Sequence, residues 1–216
     1  MKIFQISGKG RSGKTTLANI IAKEVFNKGY IPVMIPFAKA LKEQAQAMGY
    51  GKDTNPEEYR KFCQELGASK RAEDADYWVL KTYDLILEKM ALELQYHEEN
   101  RTHKEHVIIQ DDVRYMNELG LGRELSAIQL FVYSCGRTLQ ENDATWRNHE
   151  SEALANKVEL SFDNPNSQYE DIFDQIIDNS GTEKELEELV KENIDDWLSV
   201  ANIEILGIDD DTNSNT

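Results

Sequence analysis

Short apolar runs alternate along the chain with segments in which apolar residues recur every three or four positions. The first run, KIFQIS at 2–7, predicts a β-strand, and helical spacing over 14–28 predicts a helix that ends at Gly29. A second run, IPVMI at 31–35, predicts a strand buried on both faces, and the helical pattern resumes over 37–48. Such alternation is typical of a parallel sheet covered by helices on both faces.

Longer helices and further strands continue this alternation. A helix over 57–66 is predicted to end at Gly67, and a helix over 76–96 is predicted to turn Trp78, Leu80, Tyr83, Leu87, Met90 and Leu94 inward. The remaining pattern predicts strands at 107–110, 128–133 and 173–177, helices at 116–126 and 183–200, and polar loops at 97–104 and 134–148. We therefore expect one α/β domain with helical and loop insertions.

Composition and charge narrow the class of protein. The chain has 216 residues and a net charge of −16, whereas surfaces that track duplex nucleic acid are basic. No apolar run approaches the roughly 20 residues that cross a bilayer, and the two cysteines form neither a CxxC pair nor a disulfide framework. We expect a cytoplasmic protein that binds no nucleic-acid polymer and no membrane, with one domain over 1–200 and an acidic tail over 201–216.

The turn after the first strand carries the clearest chemistry of the chain. Residues 8–15, GKGRSGKT, satisfy G-x-x-x-x-G-K-[ST] at every position, between a predicted strand and a predicted helix. Glycines let successive backbone N–H groups converge on phosphate oxygens, Lys14 would reach the β- and γ-phosphates, and the Thr15 hydroxyl would bind Mg²⁺. This phosphate-binding loop predicts a three-layer P-loop NTPase fold with a parallel sheet of about five strands. The predicted ATP-binding residues are Gly8, Lys9, Gly10, Arg11, Ser12, Gly13, Lys14, Thr15 and Thr16.

Two other nucleotide-binding folds use similar glycines. Gly8, Gly10 and Gly13 also spell G-x-G-x-x-G, but a dinucleotide fold requires an acidic residue about twenty positions further on, at the end of the second strand. That strand ends here in Ile-Pro-Phe at 35–37. The HRD and DFG motifs of protein kinases do not occur in the sequence. The loop therefore indicates binding of a nucleoside triphosphate.

Acidic and basic residues after the third predicted strand are candidates for catalysis. Because the carboxyl ends of parallel strands meet at one edge of the sheet, Asp111 and Asp112 are expected near the metal bound by Thr15. We favour Asp112 as the metal ligand or electrostatic group, with Asp111 as the alternative; a solvated strand end would also explain both acids. Arg114 would stabilise charge on a transferring phosphoryl group, although a surface ion pair is the structural alternative.

Two further basic clusters accompany the loop. The polar segment 134–150 is predicted to be a lid that closes over the nucleotide and brings Arg137 or Arg147 to the phosphates. Arg60, Lys70 and Arg71 surround the helix end predicted at Gly67, where some of them would hold an acceptor phosphate. In a chain of such negative charge, a basic cluster is informative because anionic substrates need local positive potential.

Several segments together resemble the deoxynucleoside monophosphate kinases of tailed bacteriophages. The matching segments are RSGK at 11–14; Arg60, Gln64, Glu65, Leu66, Gly67, Arg71, Asp74, Asp76, Tyr77, Trp78 and Val79; DVRYMNE at 112–118; His149, Ser151 and Glu152; and 174–181. They span nearly the whole chain in the order of the family. Ala68 stands where the family usually has Thr, and Thr15 where many members have Asp.

The resemblance implies transfer of the γ-phosphoryl group of ATP, with Mg²⁺, to a deoxynucleoside monophosphate, in the cytoplasm of an infected host cell. It implies a helical acceptor-binding region over about 37–105 and acceptor-binding roles for Arg60, Gln64, Arg71, Trp78 and Glu152. A kinase of another small molecule, similar to animal phosphomevalonate kinase, and a nucleotide-binding switch without an acceptor stay open as alternatives. Assembly as a homodimer also stays open.

Overall fold

The computed structural model of the protein describes residues 1–51, 53, 55–100, 104–135, 150–162 and 170–200. Most of the predicted lid, including Arg137 and Arg147, and the predicted tail at 201–216 lie outside the described residues. None of the helices in the described ranges has the length and apolar character needed to span a membrane.

Strands and helices follow one another along the described residues, with three helices in succession between the second and third strands. The strands are β1 (Lys2–Ser7), β2 (Ile31–Met34), β3 (His106–Val113), β4 (Ile128–Tyr133) and β5 (Gln175–Asp178). The helices are α1 (Lys14–Asn27), α2 (Lys39–Ala47), α3 (Pro56–Glu73), α4 (Tyr77–Asn100), α5 (Met116–Glu124), α6 (Ala153–Ser161) and α7 (Glu183–Val200). All strand pairs are parallel, in the order β2-β3-β1-β4-β5.

Alternate side chains of β1 point into two separate apolar cores. Phe4 is buried with Leu17 of α1 and with Trp197 of α7, whose ring meets the Phe4 ring edge-on at 6.1 Å. Ile3 is buried in the core on the opposite face, with Leu119 of α5. The sheet therefore lies between two helical layers. This confirms the predicted three-layer α/β fold with five parallel strands and is consistent with the P-loop NTPase fold.

The path of the chain places a crevice at the carboxyl ends of β1 and β3. These neighbouring strands are followed by α1 and α5, which pack on opposite faces of the sheet. In open parallel sheets, ligands bind in the crevice where adjacent connections diverge in this way. The loop after β1 and the residues that end β3 meet at this crevice.

Three glutamines form a buried polar row under α5. Gln5 is paired in register with Gln110 of β3 and Gln129 of β4, and all three side chains are buried. The Gln5 amide donates to Gln110 Oε1 at 3.1 Å, and the Gln129 amide donates to Gln5 Oε1 at 3.0 Å. The Gln5 and Gln129 amides also donate to the backbone carbonyls of Glu118 and Leu119. The row therefore fixes the position of α5 on the sheet.

The prediction that the second strand is buried on both faces is wrong. β2 lies at an edge of the sheet, where it pairs with β3. Its residues are partly exposed, and Met34 is 36% exposed. An apolar run of this length does not distinguish an edge strand from a central one, because strand order is set by tertiary packing.

The prediction that a helix ends at Gly67 is also wrong, because α3 continues to Glu73. Gly67 is buried, and its carbonyl accepts a hydrogen bond from the indole nitrogen of Trp78 at 3.2 Å. A Cβ atom at this position would lie 3.2 Å from Arg71 Nη1 and 3.7 Å from Leu41 Cδ2. The glycine therefore allows close packing of α3 against its neighbours and does not terminate the helix.

The inner face of α4 differs in part from the prediction. Trp78 is buried as expected, but Leu80 and Leu87 are 54% and 42% exposed, whereas Thr82 and Ile86 are fully covered. The helix also runs to Asn100, into the segment predicted as a loop from residue 97.

Two differences lie close to the crevice. β3 extends to Val113, so that Asp111 and Asp112 belong to the strand rather than follow it. The helix α6 and the 3₁₀ turn before it, Glu150–Glu152, were not predicted from the pattern. This turn brings Glu152 to the loop after β1.

Candidate active site

The loop between β1 and α1 has the backbone shape that its glycines require. Gly8 and Gly13 have φ angles of 141° and 98°, and the non-glycine residue Arg11 has a φ of 67°. A Cβ atom on Gly8 would lie 2.2 Å from the carbonyl oxygen of Val132, and one on Gly13 would lie 2.0 Å from Asn179 Nδ2. Close approach and positive φ therefore both exclude larger residues at these two positions.

The end of β5 supports this loop from the other side. Asn179 is buried, and its side-chain amide donates to the Ser12 carbonyl at 2.9 Å. The Ser12 hydroxyl is also buried and has no hydrogen-bond partner among the described residues. The role of Asn179 could not be predicted locally, since it is 167 positions from Ser12 in the sequence and its position depends on strand order.

Lys14 begins α1 and folds back over the loop. Its Nζ donates to the carbonyl oxygens of Gly8 at 2.8 Å and Lys9 at 2.7 Å, and the residue is only 7% exposed. Burial, followed by the charge of the nearby Arg114 guanidinium, lowers the pKa of Lys14 to about 8, against the opposing effect of the surrounding carboxylates. An ammonium group held in this way gains from the arrival of a phosphate.

The carboxylate beside Thr15 is Asp111, not the favoured Asp112. The Thr15 hydroxyl donates to Asp111 Oδ2 at 2.9 Å. Asp112 has a φ of 70°, so the regular alternation of β3 ends there and its side chain turns towards Arg114 and Lys42. The structure thus places Asp111, the alternative metal ligand of the sequence analysis, beside Thr15, while the favoured Asp112 faces two cations. Sequence alternation alone could not show this arrangement, because it depends on one left-handed residue.

Arg114 joins β3 to the loop through two carboxylates. Its Nε and Nη2 donate to Asp112 Oδ1 at 2.9 Å and 2.7 Å, and its Nη1 donates to Glu152. The second oxygen of Glu152 accepts a hydrogen bond from the backbone N–H of Gly10 at 3.0 Å. Burial would lower the pKa of Arg114, but Asp112 and Glu152 outweigh it and raise that pKa. Burial would likewise raise the pKa of Asp112, but Arg114 and then other cations hold it below its ordinary value.

A second buried carboxylate organises the start of α5. Glu118 accepts hydrogen bonds from the backbone N–H groups of Arg114 at 2.7 Å and Tyr115 at 3.3 Å. The Arg71 guanidinium lies 4.0 Å from Glu118 and stacks 3.9 Å above the centre of the Tyr115 ring. Burial raises the pKa of Glu118 to about 7, despite these hydrogen bonds and the charge of Arg71. Neither Glu118 nor Tyr115 was predicted to belong to the site.

These groups surround one cavity of about 980 Å³. Of the predicted phosphate-loop residues, Gly10, Arg11, Gly13, Lys14, Thr15 and Thr16 line it, whereas Gly8, Lys9 and Ser12 are not among its lining residues. The predicted acceptor-binding residues Arg60, Gln64, Arg71, Trp78 and Glu152 also line it, as do Asp111, Asp112 and Arg114. The structure thus brings the sequence-predicted site residues that it describes to one place. Arg137 and Arg147 lie outside the described residues.

Sequence reasoning missed several cavity residues. Lys42, Tyr59, Cys63, Tyr115 and Glu118 all line the cavity. Lys42 and Tyr59 lie on α2 and α3, whose polar faces look like ordinary solvent-exposed helix surface in the sequence. Tyr115 and Glu118 did carry a signal, because they fall within the segment 112–118 that resembles the kinase family.

The residues at the crevice suit a magnesium ion that is bound together with phosphate. Within the ranges that the structure describes, no group of three or more His, Cys, Asp or Glu side chains is placed to hold a metal. Mg²⁺ differs from zinc in this respect, since it usually takes one or two protein oxygens and completes its octahedron with substrate phosphates and water. Thr15 Oγ1 and Asp111 Oδ2 supply two such oxygens next to the loop.

Comparisons with known proteins assign the chain to no family. No protein-family model matches the chain, and no curated protein does. Among solved structures, the chain is similar to one titled "Crystal structure of TT1252 from Thermus thermophilus", with 16% sequence identity and a TM-score of 0.35 over 90% of this chain and 97% of that chain.

Proposed function

We propose that the protein is a deoxynucleoside monophosphate kinase that transfers the γ-phosphoryl group of ATP to the 5′-phosphate of the acceptor. The observation that carries the proposal is the shared cavity, in which the phosphate loop faces the basic residues of α3. A volume of about 980 Å³ lies at the upper end of the range for small-molecule sites, about 300–1,000 Å³. Donor and acceptor phosphates would meet there.

The donor would bind at the loop after β1. Backbone N–H groups of the loop and the Lys14 ammonium would hold the β- and γ-phosphates, as in other phosphate-binding loops. Mg²⁺, held by Thr15 and Asp111 together with phosphate oxygens, would neutralise charge on the transferring group. Arg114 would do the same from the side of β3, since its guanidinium offers several donors in a fixed plane.

The acceptor would bind between α3, α4 and the start of α5. Arg60 and Arg71 of α3 line this part of the cavity, in a protein whose net charge is −16. A local concentration of positive charge on such a chain favours an anionic acceptor such as a monophosphate. A nucleobase would pack beside Trp78 and the stacked pair of Tyr115 and Arg71, which line the same part of the cavity.

The transfer itself asks mainly for positioning. An oxygen of the acceptor phosphate would form the new bond to the γ-phosphorus, while the bond from that phosphorus to the β-bridging oxygen breaks and ADP leaves with that electron pair. The attacking oxygen is already an anion, so no side chain has to remove a proton. Alignment of the two phosphates and stabilisation of their charge would supply most of the rate enhancement.

The proposal is tested by measuring ADP formation from ATP and Mg²⁺ with a panel of nucleoside and deoxynucleoside monophosphates. We expect at least one deoxynucleotide to accelerate ADP formation, and Lys14→Ala to abolish the acceleration without unfolding the protein. If only another phosphorylated small molecule is phosphorylated, such as phosphomevalonate, the kinase chemistry holds but the acceptor is wrong. Slow ATP hydrolysis that no acceptor accelerates would instead favour a nucleotide-binding switch and refute the proposal.

A further inference from the structure

Lys42 is a cation of the cavity that has no role in the proposed mechanism so far. It lies on α2, lines the cavity, and its side chain is 49% exposed. Its Nζ lies 3.8 Å from Asp112 Oδ2, which is an ion pair but exceeds hydrogen-bond distance. The ammonium therefore faces the cavity without being tied to one oxygen.

Asp112 lies between this lysine and the arginine at the end of β3. Its Oδ1 accepts two hydrogen bonds from Arg114, and its Oδ2 faces Lys42. The left-handed backbone at Asp112, with a φ of 70°, costs free energy for a residue with a Cβ atom and is retained where the surrounding structure requires it. Its consequence here is that one carboxylate holds two cations at the same wall of the cavity.

The position of α2 shows which phosphate Lys42 can serve. The backbone before α2 is tied to β3, because the N–H of Phe37 donates to the carbonyl of Asp111 at 3.0 Å. The following helix reaches α3, where Leu41 lies beside Gly67. Lys42 therefore lies between the end of β3 and the helix that carries Arg60 and Arg71. The triphosphate loop already has its own buried ammonium in Lys14.

We propose that Lys42 binds the phosphate of the acceptor, and that Asp112 is a positioning residue that holds Lys42 and Arg114 towards the point of transfer. This inference rests on the proposed function. When the acceptor arrives, the compact ammonium would exchange its long contact with Asp112 for a phosphate oxygen. Charge-assisted hydrogen bonds of this kind are stronger than neutral ones, so the loss of Lys42 should weaken acceptor binding roughly ten- to hundredfold.

The test compares Lys42→Met with Lys39→Met. Lys39 is a matched control, because it lies one turn earlier on the same helix, pairs with Glu43 at 3.9 Å and is not among the described residues that line the cavity. Steady-state kinetics with ATP and each of dAMP, dCMP, dGMP and dTMP would give both KM values. We expect Lys42→Met to raise the acceptor KM at least tenfold, with the ATP KM within about twofold, and Lys39→Met to change neither.

Asp112→Asn supplies the second part of the test. If the carboxylate positions both cations, this variant should lower kcat through Arg114 and also raise the acceptor KM through Lys42. Lys42→Arg should retain more acceptor affinity than Lys42→Met, since it keeps the charge. An unchanged acceptor KM in Lys42→Met, or an equal rise in both KM values, would overturn the inference.

Direct binding separates this inference from the proposed function. Calorimetry with each of the four monophosphates, in the presence of a non-hydrolysable ATP analogue, measures acceptor affinity without turnover. If the wild-type protein binds none of them and none accelerates ADP formation, the proposed function fails and the inference fails with it. If the wild-type protein binds and phosphorylates a monophosphate but Lys42→Met binds it equally well, the inference alone fails.

Discussion

On the proposed function, the buried ammonium of Lys14 should make nucleotide affinity depend on pH in a range where most lysines do not titrate. Burial, followed by the charge of Arg114, lowers the pKa of Lys14 from its ordinary 10.5 to about 8. Phosphate oxygens attract the protonated form, and the neutral amine offers them little. The affinity for ATP should therefore follow the fraction of molecules in which Lys14 is protonated.

The size of the effect follows from the pKa. With a pKa of about 8, Lys14 is roughly nine-tenths protonated at pH 7 and about one-tenth protonated at pH 9. Between these two pH values the dissociation constant for MgATP should rise about tenfold, which corresponds to about 1.4 kcal/mol. A lysine with the ordinary pKa of 10.5 would produce almost no change over the same interval.

The assay is a series of dissociation constants for a non-hydrolysable MgATP analogue between pH 6.5 and 9.5. Lys14→Met is the control: it should bind the MgATP analogue weakly, and its dissociation constant should stay the same over this pH range. A wild-type dissociation constant that stays constant up to pH 9.5 would refute the reasoning. It would mean that Lys14 either keeps an ordinary pKa or does not contact the phosphates.

The same lowered pKa predicts an effect of opposite sign on stability when no nucleotide is added. Between pH 8 and 10.5 the unfolded chain keeps a proton that the folded protein has lost, so the free energy of unfolding should rise with pH there. At pH 7, Lys14→Met removes a buried charge and also two hydrogen bonds to backbone carbonyls. We expect the free energy of unfolding of Lys14→Met, measured by urea titration, to be about 1–2 kcal/mol higher than that of the wild type. A lower free energy of unfolding would contradict this reasoning.

Three further predictions concern the helix α5 and the turn at Glu152. Gly122→Ala places a Cβ atom 2.0 Å from Gln5 Oε1, so it should lower the free energy of unfolding, measured by urea titration, by about 2 kcal/mol. Gly120→Ala is the control: its Cβ atom would have nothing within 4 Å, and the variant should be as stable as the wild type or slightly more stable. Burial raises the pKa of Glu118 to about 7, so the folded protein holds a proton that the unfolded chain loses near pH 4.5. The free energy of unfolding of the wild type should therefore fall as the pH rises from about 5 to 7. Glu118→Gln should remove this part of the pH dependence of stability. Glu152→Gln removes a negative charge that occupies a loop N–H group, and it should tighten ATP binding several-fold by calorimetry; weaker binding would contradict this competition.

The phosphate loop was predictable because its information is local. Strand, glycines, lysine and helix are contiguous from residue 2 to 27, and each residue type there answers a requirement of the backbone or of a phosphate group. The two-core sheet was predictable for a similar reason, since apolar runs of strand length alternated with helical periods. The order of the strands, and hence the edge position of β2, depends on contacts between distant segments and was not predicted.

The part of the cavity formed by α3, α4 and the end of β3 was predictable only in part, because the positions of its side chains depend on tertiary contacts. Gly67 looked like a helix end, yet it is a point of close packing that accepts the Trp78 indole hydrogen bond. Leu80 and Leu87 looked like core residues, whereas the structure turns Thr82 to the inside. Which of Asp111 and Asp112 lies beside Thr15 depends on the left-handed backbone of Asp112 at the end of β3. Composition and periodicity carry no signal for any of these.

The pairing of charges in the cavity explains how a strongly acidic protein can provide a site for anions. Arg114 faces Asp112 and Glu152, Lys42 faces Asp112, and Arg71 faces Glu118. A phosphate group that binds these cations must replace carboxylates, so its affinity is the difference between two sets of ion pairs and not the sum of new contacts. The carboxylates hold the cations in position before a phosphate binds, and the phosphate would hold them afterwards. The same ion pairs and hydrogen bonds tie the loop, β3 and the turn at Glu152 into one network, so that on the proposed function bound donor phosphates would change the charge that an acceptor meets.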